Sequence, residues 1–439
     1  MSGPRGADCD GDATCSRTKR SPRNLLGFLI GLVVSLALPA SAAAIDEFPL
    51  PTPGSCPGGI TTGPDGALWF TEEGTSRIGR MTTTGVVTHE FPVPSSPSAL
   101  PCTDPAFVPP LDQIVTGPDG ALWFTQPRDN KIGRITTAGV LDPPAGYTLP
   151  VPNSQPEAIT VGPDGNLWYT ELLSNGVGRI TTGGGPVHFP TGGIGPSDIV
   201  GRPDGALWFT EAFGNTIGRM TTTGAVTNHF PVTPLSGPSG IALGPGGLWF
   251  TESDANAIGR ITTSGVVSEF PGTGAGPSAI AEGQDGALWF TESENNTVGR
   301  ITSSGAITNH FALATPASEP SDIAKGPDGA LWFTEFLGNK VGRIDTSPVQ
   351  FVPPPPPPPV TPRKRKARRV CRVPKLRGLR IARAKRKLKK ARCKYRVRGR
   401  GFVVSTKPKA GKRTTKRVVV RAKPKNGRRS GRRSARSSP

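Results

Sequence analysis

The residues of this chain that could do chemistry are mostly oxygen donors. Among its 439 residues a recurring proline, replaced by Leu111 in the second unit, is followed by two positions that keep changing. They read Gly58-Gly59, Asp112-Gln113, Glu157-Ala158, Ser197-Asp198, Ser239-Gly240, Ser278-Ala279 and Ser321-Asp322, with Glu319 just ahead of the last pair. Asp112, Glu157, Asp198 and Asp322 supply carboxylates, and Ser278 and Ser321 supply hydroxyls. Such an uneven set of hard oxygens suits a cation such as Mg²⁺. A solvated polar rim is the alternative. The four histidines, His89, His188, His229 and His310, stand elsewhere, in the segment that closes each unit.

Those positions recur because the chain is a repeat. A unit of roughly 40 residues occurs seven times, the period of propeller blades. It reads P-S-x-I-x-x-G-P-D-G-A-L-W-F-T-E, a polar turn with Asn, I-G-R-I-T-T-x-G, and a short piece ending in His/Glu-Phe-Pro. All seven tryptophans, Trp69, Trp123, Trp168, Trp208, Trp249, Trp289 and Trp332, belong to it, and each is followed eleven residues later by an arginine. Four short β segments per unit, with Pro-Asp-Gly and Thr-x-Gly as turn chemistry, predict an all-β, seven-bladed β-propeller of four-stranded blades. The ring could be closed by 45–49, which copies a unit's last strand, or by 349–352.

The repeats act as their own control. A residue present in every blade is most simply structural, since a site needs chemistry that one blade has and others lack. The Trp set reads as blade core and the Pro-Asp-Gly aspartates as turn residues. The Arg set reads as hydrogen bonds between blades. Glu after Phe-Thr (Glu72, Glu171, Glu211, Glu252, Glu292, Glu335, with Gln126 in the second unit) reads the same way. The entrance pairs, opening the innermost strand near the central channel, are the exceptions. They are the expected place for a small-molecule or peptide ligand.

Charge divides the chain. The formal net charge is +21, yet 45–350 holds 13 Lys and Arg against 29 Asp and Glu, whereas 351–439 holds 35 Lys and Arg and no acid. An acidic body is joined to a basic tail that should bind polyanions in a salt-dependent way. At the other end, Arg17, Lys19, Arg20 and Arg23 precede an apolar run over 25–38 and an A-x-A site, so 1–44 reads as a secretory signal peptide. The expected location is secreted and envelope-associated, with no transmembrane helix after cleavage. Wall peptidoglycan or anionic wall polymers are then the expected partners of the tail, and nucleic acid is not. Oxidising surroundings allow disulfides. Once Cys9 and Cys15 leave, Cys56, Cys102, Cys371 and Cys393 allow three pairings, and locality favours Cys56–Cys102 and Cys371–Cys393. The stretch 95–111, carrying Cys102, is the largest insertion and is expected to form a stapled loop over the mouth.

The unit G-P-D-G-A-L-W-F-T-E…I-G-R-I-T-T-x-G resembles the virginiamycin B lyase (streptogramin B lyase) family over 45–346. The resemblance implies a propeller that linearises a cyclic depsipeptide by Mg²⁺-dependent elimination at its ester. A general base takes a proton while the metal polarises the ester. In that family the last two units carry Pro-His at the mouth, one of these histidines being the base. Ser278 and Ser321 stand at the matching places here. Glu319 and Glu335 match the family's acidic active-site positions, which makes them the candidate catalytic and metal-binding residues.

In the tail, 353–359 are seven consecutive prolines, a stiff spacer of roughly 20 Å within the linker 351–369. Val373-Pro, helical spacing of Ala384, Leu388 and Ala391, and two strands around Pro-x-x-Gly make 370–422 similar to a PASTA domain. That resemblance implies a small β-α-β-β module binding muropeptides. Thr415 departs from the glycine frequent there. The last stretch, 423–439, is expected to be disordered.

Overall fold

The computed structural model describes residues 44–96, 100–104, 106–348, 370–414 and 416–424. Residues 1–43 of the expected signal peptide, the closing candidate 349–352, the proline run and the final basic stretch from 425 lie outside them. The chain divides into two compact units, Met1–Val349 and Gln350–Pro439.

The first unit holds seven four-stranded antiparallel sheets. Six are built from consecutive strands. In the seventh, Ile45–Pro49 is the outer strand and pairs with Lys340–Ile344, so the N-terminal strand closes the ring. Its Phe48 stacks on Trp332 with ring centroids 5.5 Å apart. Among the described residues this is the only outer strand of that blade.

The second strand of each blade shows why the repeat is so regular. Leu, Trp, Phe, Thr and Glu of Leu331–Glu335 are all buried, as in the other blades, because this strand is covered on both faces. Alternation then sends Trp one way and Leu and Phe the other. Trp69 packs with Leu122 and Phe124 of the following blade, and around the ring Trp332 packs with Leu68 and Phe70 of the first. Each Trp also carries the arginine eleven residues on over its ring and stacks on an aromatic of its own outer strand. Arg343 lies 5.8 Å over Trp332, and Phe311 stacks on Trp289 at 5.2 Å. Glycine in I-G-R leaves room for the Phe ring, since a Cβ on Gly342 would lie 2.1 Å from Phe333.

The arginines differ from expectation. Instead of mainly linking blades, Arg80, Arg134, Arg300 and Arg343 bind the turn aspartate of their own blade (Asp65, Asp119, Asp285 and Asp328), Nε to Oδ2 at 2.7–2.8 Å. That aspartate's other oxygen accepts Trp Nε1, at 3.0 Å for Trp69 and Trp123. Among the described residues, Arg179 and Arg260 are the two of the set that reach a neighbouring blade, at the carbonyls of Thr222 and Ser303. The spacing is a within-blade register, because Trp and Arg face one another across adjacent strands.

Blades are joined by threonine instead. The hydroxyl after Trp-Phe donates to the backbone of the next blade's innermost strand in all seven cases, from Thr71 to Asp112 O (2.6 Å) to Thr334 to Gly58 O (2.6 Å). The same oxygen accepts an N–H from its own innermost strand, at 2.8–3.0 Å. Asparagine makes a second joint. Asn130, Asn175, Asn215, Asn256, Asn296 and Asn339 sit in the left-handed region that Asn tolerates. Each accepts a backbone N–H from the loop entering the next blade. The first blade has Ser76 there, and the loop that follows it is held by the Cys56–Cys102 disulfide.

The second unit packs the helix Ile381–Lys390 on a three-stranded sheet. Val418–Lys423 is central, parallel to Tyr395–Arg398 and antiparallel to Phe402–Lys407. Ala384 and Leu388 meet Val403, Val418 and Val420, and Cys371–Cys393 closes the core. The strand Tyr395–Arg398 was not expected from sequence. A two-residue pairing of Cys371–Arg372 with Arg413–Thr414 completes the unit.

Candidate functional site at the channel mouth

The innermost strands begin where the second strands end, as the pairing of Pro320 with Glu335 shows. The two residues after each leading proline, or after Leu111 in the second blade, therefore ring one end of the central channel. A cavity of about 270 Å³ is lined by Asp112, Glu157, Asp198 and Asp322, by Ser197, Ser239, Ser278 and Ser321, and by Gln113 and the small residues between. The four carboxylates and the two serines singled out from sequence are thus brought together. The volume holds a small cationic group or a few waters; a depsipeptide-sized ligand would rest on the mouth.

Two of the carboxylates also hold the ring. Asp198 accepts from Ile199 N (2.7 Å) and from Ile241 N (2.7 Å) of the next blade. Asp322 does the same with Ile323 N and Ile60 N, both at 2.8 Å. Asp112 and Glu157 face the cavity without such backbone clamps. Desolvation raises all four. Glu157 and Asp198 are pushed up to about 7 and Asp322 to about 6, with backbone N–H bonds on the two aspartates pulling back. Asp112 rises well above the usual range, through desolvation and then the charges of Glu157, Asp322 and Asp198.

A fifth carboxylate belongs here. Glu73 is 6% exposed, and its carboxylate occupies the room left by Gly58, where a Cβ would lie 1.8 Å from its Oε1. Desolvation, then the charge of Asp112, pushes it well up. Sequence reasoning missed it. The available signals were the Gly-Gly pair of the first blade and the doubled Glu72-Glu73, found in no other unit.

The other expected residues are placed differently. Glu319 is exposed, has φ +49°, and is not among the residues lining the cavity. Glu335 is buried in the second strand, where neither of its oxygens makes a well-formed hydrogen bond, although the Ser318 side chain pulls its pKa back. Desolvation and the charge of Glu47 push it up to about 7. The histidines lie on outer strands, away from the mouth. His188, His229 and His310 bond through Nδ1 to the buried Glu171, Glu211 and Glu292, the last two at 2.6 and 2.7 Å. Among the described residues no three His, Cys, Asp or Glu converge on a point that a metal ion could occupy.

The rim is apolar in places. On the loops of this face Leu173, Ile194, Phe213 and Leu235 are 55–83% exposed. Among the described residues of the insertion, Cys102 is tied to Cys56 of the first blade and Phe107 meets Phe336 of the seventh with centroids 6.5 Å apart.

The sequence model of the Virginiamycin B lyase family matches residues 39–104, 108–272 and 187–350. A streptogramin B lyase structure is 36% identical with a TM-score of 0.62, over 69% of this chain and 97% of that one. Staphylococcus aureus virginiamycin B lyase is 37% identical with a TM-score of 0.62, over 69% of this chain and 99% of that one. A catalytically inactive His-to-Ala variant of the same S. aureus enzyme, with quinupristin, matches equally well. No curated protein matches the chain.

Proposed function

The chain belongs to the virginiamycin B lyase family, and we propose that within it this protein is a binding or scaffold protein of the cell envelope. In this reading the propeller holds a small molecule or peptide at its mouth, and the basic C-terminal unit tethers it to the wall. The observation that carries it is the composition of the mouth: carboxylates and serines, with every imidazole on an outer strand. In the S. aureus relative, one His-to-Ala exchange accompanies loss of activity. Here serine stands at both places the resemblance assigns to histidine. An acidic centre with an apolar rim favours a ligand with an apolar body and a cationic group. Secretion rests on the N-terminal sequence pattern.

A second reading is a lyase that uses Glu335 as its base. Its oxygens, neither in a well-formed hydrogen bond, and a pKa raised to about 7 fit a proton acceptor near neutrality. Its full burial speaks against it, as does the presence of Glu at the same position in five other blades.

Incubation with a streptogramin B, with Mg²⁺ and separately with chelator, followed by mass spectrometry, separates the two. Elimination takes a proton from carbon and breaks the ester C–O bond, opening the ring at unchanged mass, whereas hydrolysis adds one water. The binding reading expects unaltered substrate. A metal-dependent new peak at unchanged mass would establish the lyase, and Glu335→Gln should then abolish it while leaving the fold intact.

A further inference from the structure

The helix of the C-terminal unit covers one face of its sheet and leaves the other open. On the open face Arg398 and Arg421 sit side by side in register on parallel strands. Like charges so paired repel, and no acidic residue exists anywhere in 351–439 to neutralise them. The face is concave, a groove of about 1260 Å³ that eight Lys and Arg line, with Lys375 and Arg377 at one wall and the Lys407–Lys409 turn at another. Val404 and Val419 put aliphatic surface between the charges, and among the described residues no aromatic lines the groove.

We propose that this groove is the binding site for a linear, flexible phosphodiester polymer with an aliphatic polyol backbone, of the kind found in cell walls. The inference rests on the envelope reading above and assigns its tether to one face. Charge repelled within the unit is relieved by an external polyanion, with counterion release as the driving term. A groove admits a chain that can enter it, while a bilayer presents a flat charged plane. Single-stranded nucleic acid is normally gripped by stacking bases on aromatic side chains, which this groove lacks. Its aliphatic patches fit a backbone of CH and CH₂ groups.

The test measures binding of full-length protein to deacylated poly(glycerol phosphate) across a salt series. Two variants each lose three charges: Arg398→Gln/Lys407→Gln/Arg421→Gln in the groove, and Lys385→Gln/Arg386→Gln/Lys389→Gln on the helix. Both remove only mutually repelling exposed charges, and thermal unfolding checks the fold. The groove variant should lose about tenfold or more in affinity, with a salt slope smaller by about 2 to 3, and the helix variant about threefold or less. Equal losses would mean diffuse charge and overturn the site. Tighter, groove-dependent binding of oligo(dT) or of anionic lipid vesicles would overturn the polymer in favour of nucleic acid or membrane. If the polymer does not bind, co-sedimentation with whole walls tells the failures apart: retained sedimentation removes only this inference, and lost sedimentation removes the envelope reading with it.

Discussion

Thr334 Oγ1 donates to the carbonyl oxygen of Gly58 at 2.6 Å, joining the last blade to the first across 276 residues of sequence. It is the seventh of seven identical joints and the one that closes the circle.

Thr334→Val keeps the shape and removes the joint. It leaves the Gly58 carbonyl and the Asp322 N–H unpaired in a buried place, so the propeller should lose about 1–3 kcal/mol. Urea unfolding measures it, with Thr84→Val on an exposed turn as a control expected to stay within about 0.5 kcal/mol. Equal losses for the two would deny the joint its role.

Much of this was legible in the sequence. The Trp and Arg spacing announced the blade and its count because both residues lie in one hairpin, where spacing is geometry. The partners of Arg343 and Thr334 were not legible for the complementary reason. The arginine's partner, Asp328, depends on which turn oxygen it meets, and the threonine's partner lies in another blade. The mouth residues were found because blades differ there. Glu73 was missed because its carboxylate fills a gap left by Gly58, and an absent side chain leaves little trace in a pattern search.

The aspartate of Pro-Asp-Gly joins three groups in one blade. Asp328 accepts from Trp332 Nε1 (3.1 Å), Arg343 Nε (2.8 Å) and Ala330 N (3.2 Å). Asp328→Ala strands a buried indole N–H and should cost about 1–3 kcal/mol. The fourth and fifth blades set the scale. Trp208 Nε1 has no partner and Trp249 Nε1 uses the Pro245 carbonyl, so Asp204→Ala should cost less than Asp328→Ala by the same unfolding measurement.

The disulfide between Cys56 and Cys102 closes a loop across 46 residues. Cys102→Ser should lower stability by about 2–4 kcal/mol, mainly by freeing the unfolded chain. In the folded protein it should release the inserted loop, so that limited proteolysis cuts within 95–111 while the blades stay intact. Resistance of that loop in the variant would show that Phe107 and its neighbours hold it unaided.

Acid should stabilise the propeller. Glu157 and Asp198 at about 7, Asp322 at about 6, and Glu72, Glu252 and Glu335 at about 7 are all raised above ordinary carboxylate values, first by desolvation. A raised acid binds its proton more tightly in the folded state, so between about pH 4 and pH 7 stability falls as pH rises. The opposite group is Glu47 at about 2, held there against desolvation by Lys340 and Thr315, together with the lowered Asp65 and Asp119. Its contribution is lost only as pH drops through their folded values, below that window. The melting temperature should therefore be higher at pH 5 than at pH 8. Asp112→Asn should flatten the difference, because it removes the charge at the centre of the channel's mutual repulsion. A cationic ligand at the mouth would neutralise the same carboxylates, so its stabilisation should be larger at pH 8 than at pH 5. Equal melting temperatures at both pH values, in the protein and in Asp112→Asn alike, would show that the channel carboxylates titrate as exposed acids do.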